Sequence, residues 1–313
     1  MNAGKVDILL ATYNGSRFLA DQIDSLLGQS YLNFQIIIRD DGSQDSTSSI
    51  LLDYAKAFPE KISVLQDTDG TLGVIKNFSR LLEHASSPYV MLCDQDDVWL
   101  PQKVESAVKQ IKQAEQANSL NLPILAHTDL LVVDQTLNIK NRSFMNFAGL
   151  KPERSKFKNI LVQNIITGCT VIMNRPLVTA CIPIPEGVLM HDWWIALVAS
   201  SLGKIHYSDV SHIYYRQHGE NVLGVNSFNP AYIYKKFRGL IRLKGEGVLA
   251  KNIIQAKAVY AKFSTTMDTE NLNTLQEFIS LEEQSFWGKR QVLLRKGFSK
   301  GRFSQNVGLY LKI

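Results

Sequence analysis

The chain is poor in features that mark several protein classes. Its three cysteines, Cys93, Cys169 and Cys181, are odd in number and lack CxxC spacing, so neither a disulfide framework nor a zinc site is indicated. No apolar run reaches the ~18–20 residues that a membrane-spanning helix needs. The longest, "VLMHDWWIALVASSLG", is interrupted by His191 and Asp192. The N-terminus offers Lys5 and then only "ILLA" before "TYN", too short for a signal-peptide core. There is no internal repeat, no low-complexity segment, and no zinc-finger or RNP signature for nucleic acid. These absences leave a cytoplasmic globular protein as the expectation.

With 45% hydrophobic and 20% charged residues, the 313-residue chain can bury a normal core. Its net charge of +5 is unevenly spread. Residues 229–313 hold 15 Lys/Arg against 6 Asp/Glu, and the rest holds 19 against 23. An acidic region and a basic tail point to different jobs, and a division into residues 1–228 and 229–313 is expected. The tail reads as helical. It has one basic block at Lys235, Lys236, Arg238, Arg242 and Lys244, and a second at Lys289, Arg290, Arg295, Lys296, Lys300 and Arg302. Phe286, Trp287, Leu293, Leu294 and Phe298 are interleaved with the second. Such a tail suits an anionic membrane surface, or a helical cap on the rest of the protein.

The first half alternates apolar runs with amphipathic stretches, the rhythm of an α/β sheet. Strands are expected at 6–11, 34–40, 61–67 and 89–93, and helices at 16–29, 45–58, 72–85 and 101–117, the last opening on Pro101. Farther on, 123–134 reads as two short strands, 166–176 as a loop and a strand, and 191–203 as a helix closed by Gly203. Ligands of open α/β sheets gather at the carboxyl ends of the strands. Three strands end in polar turns, "ATYNG", "RDDGS" and "CDQDD", which would set Thr12, Asp41 and Asp96 around one cleft.

"CDQDDVW" crowds Asp94, Asp96 and Asp97 into four positions, where like charges repel. Asp-x-Asp after a buried strand suits a divalent cation, since Mg²⁺ and Mn²⁺ take hard oxygens and leave room for substrate phosphates. A solvated acidic turn ahead of a helix fits the same letters. Asp41 can be a turn residue or an acceptor for a base or ribose. Asp192 can simply begin a helix. Flanked by His191, Trp193 and Trp194, it is also a carboxylate whose burial would raise its pKa and suit it to general-base work.

"LLATYNGSRFLADQIDSLLGQSYLNFQIIIRDDGSQDST", "LGVIKNFSRLLEHA", "YVMLCDQDDVWLPQK", "TGCTVIMNR", "HDWW" and "YYRQHGENVLG" occur in this order. Together they resemble the family 2 glycosyltransferases of the GT-A fold, in particular the rhamnosyltransferase-like branch, over about residues 5–225. The resemblance implies a Rossmann-like, mostly parallel central sheet flanked by helices, here followed by the basic helical extension. It implies inverting transfer of a sugar, rhamnose favoured, from a dTDP- or UDP-linked donor, with Mn²⁺ or Mg²⁺. The implied acceptor is a saccharide, polyprenyl-linked at the inner leaflet, in bacterial surface polysaccharide synthesis. Thr12, Tyr13 and Asn14 match the first nucleotide-binding turn, Asp41 the base-contacting residue, and Lys76 and Asn77 the helix facing the nucleotide. Asp94 and Asp96 match the DxD, Asp96 as the direct metal ligand. His218 matches a position that reaches metal or diphosphate, and Asp192 matches the catalytic base. Where the family often has Glu-Asp, this chain has His191-Asp192.

Two other readings compete. A nucleotidyltransferase would need a Gly-rich, Arg-containing loop after the first strand, which is missing, and "GEGVLA" follows no strand. A non-catalytic nucleotide-sugar-binding protein would keep Asp41 but would not need Asp96 and Asp192 together.

Overall fold

In the computed structural model, residues 4–67, 69–119, 121–218 and 249–313 are described. The chain opens with β1 (Val6–Thr12), α1 (Leu19–Leu27), β2 (Phe34–Asp40), α2 (Thr47–Ala57), β3 (Ile62–Val64), α3 (Val74–His84) and β4 (Tyr89–Cys93). A two-residue β5 (Val98–Trp99) and α4 (Lys103–Gln116) lead to β6 (Ile124–Val133) and β7 (Ile139–Asn141). Short helices α5 (Phe144–Ala148) and α6 (Phe157–Ile160) precede β8 (Ile172–Asn174), α7 (Arg175–Cys181), α8 (His191–Leu202) and β9 (Lys204–Arg216). Four helices close the described chain: α9 (Ala250–Phe263), α10 (Thr269–Ser280), α11 (Phe286–Lys296) and α12 (Phe303–Lys312).

One sheet runs β3-β2-β1-β4-β8-β6-β9-β5, with β7 beside β6. The first four strands are parallel, and β6 and β9 form a second long parallel pair. The antiparallel pairings are two or three residues each. Because side chains alternate across a strand, the apolar runs feed two cores. Ile8, Leu10, Ile36, Ile38 and Met91 pack against α1 and α4, whereas Leu9, Ile37, Val90 and Leu92 face α3, α7 and α8. Strands buried on both faces must be almost continuously apolar, which explains "ILLA" and "IIIR".

Two expectations are corrected. Residues 124–133 form a single strand, kinked where the register shifts around Asp129. There the buried Asp129 carboxylate accepts from the N–H groups of Leu130 and Met145, standing in for interrupted pairing. The thirteen-residue β9 was not foreseen, because its half-exposed, His- and Tyr-rich sequence shows no clean alternation.

The described part of the tail belongs to the same core. Leu249, Ile253, Ala256, Phe278, Leu293 and Phe298 cluster with Leu177 and Trp194, and Phe263 stacks 6.1 Å from Trp194. Leu293 and Phe298, read from the sequence as surface apolar groups, are fully buried. The 228/229 boundary and the first basic block fall within 219–248, outside the described residues. Among the described residues, no helix is long and apolar enough to cross a membrane.

Candidate active site

The parallel register sets Thr12 against Asp40, and β4 ends at the same edge with Cys93 against Leu10, two residues before Thr12. The three polar turns therefore meet, and hydrogen bonds lock them together. Thr12 Oγ1 donates to Asp40 Oδ1 at 2.8 Å. The Tyr13 N–H donates to Gln95 Oε1 at 2.8 Å, and Gln95 Nε2 donates to the Tyr13 carbonyl at 2.9 Å. This two-way clamp joins the first turn to the acidic one. Asn14 has a left-handed backbone (φ 46°), its N–H donates to Ser43 Oγ, and its side-chain oxygen accepts from the Gln44 N–H. Thr12 is thus turned into the scaffold, while Tyr13 is exposed at the rim.

Asp41 is buried and heavily engaged. Arg39 Nη1 lies 2.7 Å from it, and the N–H groups of Leu72 and Gly73 donate to it at 2.8 and 2.7 Å. Arg39, itself buried, also pairs with Asp67 at 2.7 Å and donates to the Gly70 carbonyl. The three side chains fasten loop 65–73 to the end of β2. Asn77, on α3, faces inward and takes a 3.3 Å bond from Arg39 Nη1. Lys76 points the other way and reaches Glu186 at 2.9 Å. These two residues border a cavity of about 500 Å³ between α3 and loop 184–188.

The acidic turn divides into three environments. Asp96 lies 2.7 Å from His218 Nε2, and its carbonyl accepts from Arg216 Nε at 3.0 Å. Asp94 is partly exposed; burial of its carboxyl, then the charges of Asp96 and Asp192, push its pKa up to about 7. Asp97 turns fully inward, where Oδ1 accepts from the Arg216 N–H at 3.3 Å and the Cys169 thiol lies alongside. Burial first, then Asp96 and Asp94, raise the Asp97 pKa well above the carboxylate range. Burial thus favours the protonated form of Asp97, which eases part of the repulsion expected across the motif.

Ligand atoms of Asp94, Asp97 and Cys169 lie within 4.8 Å of one another. The thiol is buried with its own pKa raised, so it keeps its proton and suits no hard cation. By donor chemistry, the carboxylates of Asp94 and Asp96 and the imidazole of His218, 2.7 Å from Asp96, suit Mn²⁺ or Mg²⁺ better than the thiol does. The charges of Asp96 and Asp192, which add to burial in raising the Asp94 pKa, are what a cation would offset.

Asp192 sits in the first turn of α8, and its charge is felt at Asp94. It is buried, and desolvation lifts its pKa to about 7 against bonds from Trp193, Gly168 and Asn164 that favour the charged form. Asn164 Nδ2 donates to Asp192 Oδ1 at 3.1 Å. A Cβ on Gly168 would stand 3.0 Å from His191 Nε2. The His191 ring stacks on Phe78 at 4.0 Å, and burial lowers its pKa to about 3, so it is a neutral packing group.

Sequence reasoning missed Arg39, Asp67, Gln95, Asn164 and Arg216. A charge inside "IIIRDD" was the available signal for Arg39. Nothing local marks Asn164, whose partner is 28 residues away.

A mostly parallel sheet with helices on both sides and three polar turns at one edge, the acidic one after the fourth strand, define a GT-A glycosyltransferase fold. The family model for "Glycosyl transferase family 2" matches residues 7–177, and the chain belongs to that family. Among curated relatives, "dTDP-rhamnosyl transferase RfbG" of Shigella flexneri is 27% identical over 251 residues, 75% of this chain and 80% of that one. Two solved structures share the fold. S. aureus TarS 1–349 in complex with UDP-GlcNAc has a TM-score of 0.58 at 17% identity, covering 98% of this chain and 89% of that one. The mannosyltransferase PcManGT from Pyrobaculum calidifontis, in complex with GDP-Man and Mn²⁺, has a TM-score of 0.53 at 15% identity, covering all of this chain and 87% of that one.

Proposed function

We propose that the protein is an inverting, metal-dependent glycosyltransferase that moves a sugar, rhamnose favoured, from a dTDP- or UDP-linked donor to a saccharide acceptor. The observation that carries this reading is Asp192. It is a buried carboxyl near neutrality, oriented by Asn164 at the start of α8 and electrostatically in touch with Asp94. A base poised near the working pH can take the acceptor hydroxyl proton as the oxygen attacks the anomeric carbon and the bond to the diphosphate breaks. Asp94, Asp96 and His218 would hold Mn²⁺ or Mg²⁺, which supplies stabilising charge for the leaving diphosphate. Tyr13 and the turn at Asn14 line the nucleotide side with Thr12 behind them, and Asp41 with Asn77 holds loop 65–73 beside the base. Lys76 is available to phosphate once it leaves Glu186.

The relative named as a dTDP-rhamnosyl transferase supports the choice of donor. We place the proposed reaction in bacterial surface polysaccharide synthesis, with a polyprenyl-linked acceptor at the cytoplasmic face. Isothermal titration with UDP- and dTDP-sugars side by side, with and without Mn²⁺, tests the donor. Nucleotide release on adding acceptor separates transferase from a non-catalytic sugar-binding protein: donor binding without any release overturns the catalytic reading.

A further inference from the structure

Fourteen large hydrophobic side chains are exposed among the described residues, and six of them fall within 286–311. On α12, Phe303, Val307 and Leu311 recur every four residues, a spacing that puts them on one face. Phe303 is 85% and Leu311 72% exposed. On α11, Phe286 and Leu294 are exposed and Trp287 is 75% so. The opposite faces of these helices are already used, since Val292, Leu293 and Leu309 lie in the core. Arg290 donates to the carbonyls of Phe286 and Ile313 at 2.6 and 3.1 Å and covers the Phe286 ring at 3.4 Å. It ties the start of α11, where Phe286 and Trp287 stand, to the end of α12, where Leu311 stands. Scattered exposed hydrophobics need no explanation, but a contiguous patch does.

Charge identifies what covers it. Residues 284–313 contain seven Lys/Arg and no Asp/Glu. Arg295 and Lys296 reach back to Glu277 on α10, at 2.8 and 3.2 Å, and the strip stays strongly positive. We propose that this α11–α12 face docks on an anionic lipid surface, with Phe286, Trp287, Phe303 and Leu311 entering the headgroup boundary and the cationic side chains among the phosphates. A second copy of the chain fits less well, because a two-fold contact sets the same patch against itself and would face cation to cation. Helices with Trp, Phe and Leu on one face and Lys and Arg around it bind membranes by lying in the interface. This surface differs from the one read in the sequence: Leu293 and Phe298 are withdrawn into the core, and Phe303, Val307 and Leu311 replace them. It deepens the lipid-linked acceptor reading without depending on it, since attachment is measured without substrates.

The test is sedimentation of the full chain with phosphatidylglycerol/phosphatidylcholine vesicles and with phosphatidylcholine alone. Binding is expected on the anionic vesicles at low salt, falling roughly tenfold or more at about 0.5 M salt, where screening is strong. Trp287 emission should shift to the blue and be quenched by brominated lipid; Trp99, Trp193 and Trp194 are buried or half-buried. A Trp287→Ser/Leu294→Ser/Phe303→Ser/Leu311→Ser variant should lose binding while melting temperature and turnover on a soluble acceptor hold. Protein that stays in the supernatant at low salt, or tryptophan emission blind to brominated lipid, overturns the proposal. So does light scattering that shows a dimer which the variant makes monomeric and no vesicle binding, an outcome that assigns the face to a second copy.

Discussion

His218 Nε2 lies 2.7 Å from Asp96 Oδ2, although 122 positions of chain separate them. The end of β9 delivers the histidine, and β4 delivers the aspartate. Arg216 braces the junction from one side, donating to Asp96 and Gln135 carbonyls and to Asp21. Two groups so placed share a ligand more easily than either binds alone. Asp96→Ala is expected to abolish turnover and metal-dependent nucleotide binding while the cooperative melt survives. His218→Ala should raise the Mn²⁺ needed for half-maximal activity by roughly 10–100-fold, the scale on which supporting partners tune metal sites. Full activity of Asp96→Ala, or of the wild type in excess EDTA, removes the metal from the mechanism.

Asp192→Asn keeps shape and loses the base. Turnover should fall by roughly 10²–10⁴ with donor affinity retained. The ordinary carboxyl value is 3.8 and the folded one about 7, so the folded protein holds this proton more tightly than the unfolded chain. Stability contributed by the protonated group is present at low pH and lost as pH rises from about 4 through 7. The metal-free Asn variant should therefore melt a few degrees above wild type at pH 8 and alongside it at pH 4 (roughly 2–4 °C per kcal/mol). In the wild type, kcat should climb with pH to a plateau past about 7. Equal losses in donor binding and rate would make Asp192 a binding residue.

Asp97→Asn is expected to be mild, within about 1 kcal/mol of wild type in urea unfolding. Burial favours the protonated form of Asp97, to which the amide is a near equivalent. Metal titration of this variant should match wild type. A loss as severe as that of Asp96→Ala would transfer ligand status to Asp97.

Arg39→Met strips the buried Asp41 of its counter-charge and cuts the tie from Asp67. Leaving a buried carboxylate without its partner costs about 3–5 kcal/mol, read as a lower urea midpoint. With loop 65–73 released, KM for donor should rise more than kcat falls.

Much of the site's placement was legible, and the physics says why. Strand ends in a parallel sheet share an edge, so "ATYNG", "RDDGS" and "CDQDD" had to converge, and the apolar density of 6–11, 34–40 and 89–93 made those strands unmistakable. Asp97 was not legible, because its inward turn depends on Arg216 and Cys169, which are 119 and 72 positions away. Nor was the state of Asp41, since a turn "DDGS" looks the same whether its carboxylate faces solvent or an arginine two positions back. The tail misled for a related reason. Basic residues and rings alternate along α11 in a way that fits a surface, and only packing on α10 reveals that Leu293 and Phe298 face inward while Trp287 does not.

The sharing of one core by α8 and the last helices fixes a schedule. α8 carries Asp192 and shares one core cluster with residues as late as Leu309, so during synthesis that cluster stays incomplete until the ribosome has made nearly the whole chain. The donor-facing turns, whose hydrogen bonds lie within the first hundred residues, can assemble much earlier. A nascent chain would thus acquire the half proposed to bind nucleotide before the proposed base, Asp192. A stop codon shortly before α11 would then remove activity through a helix nowhere near it in sequence.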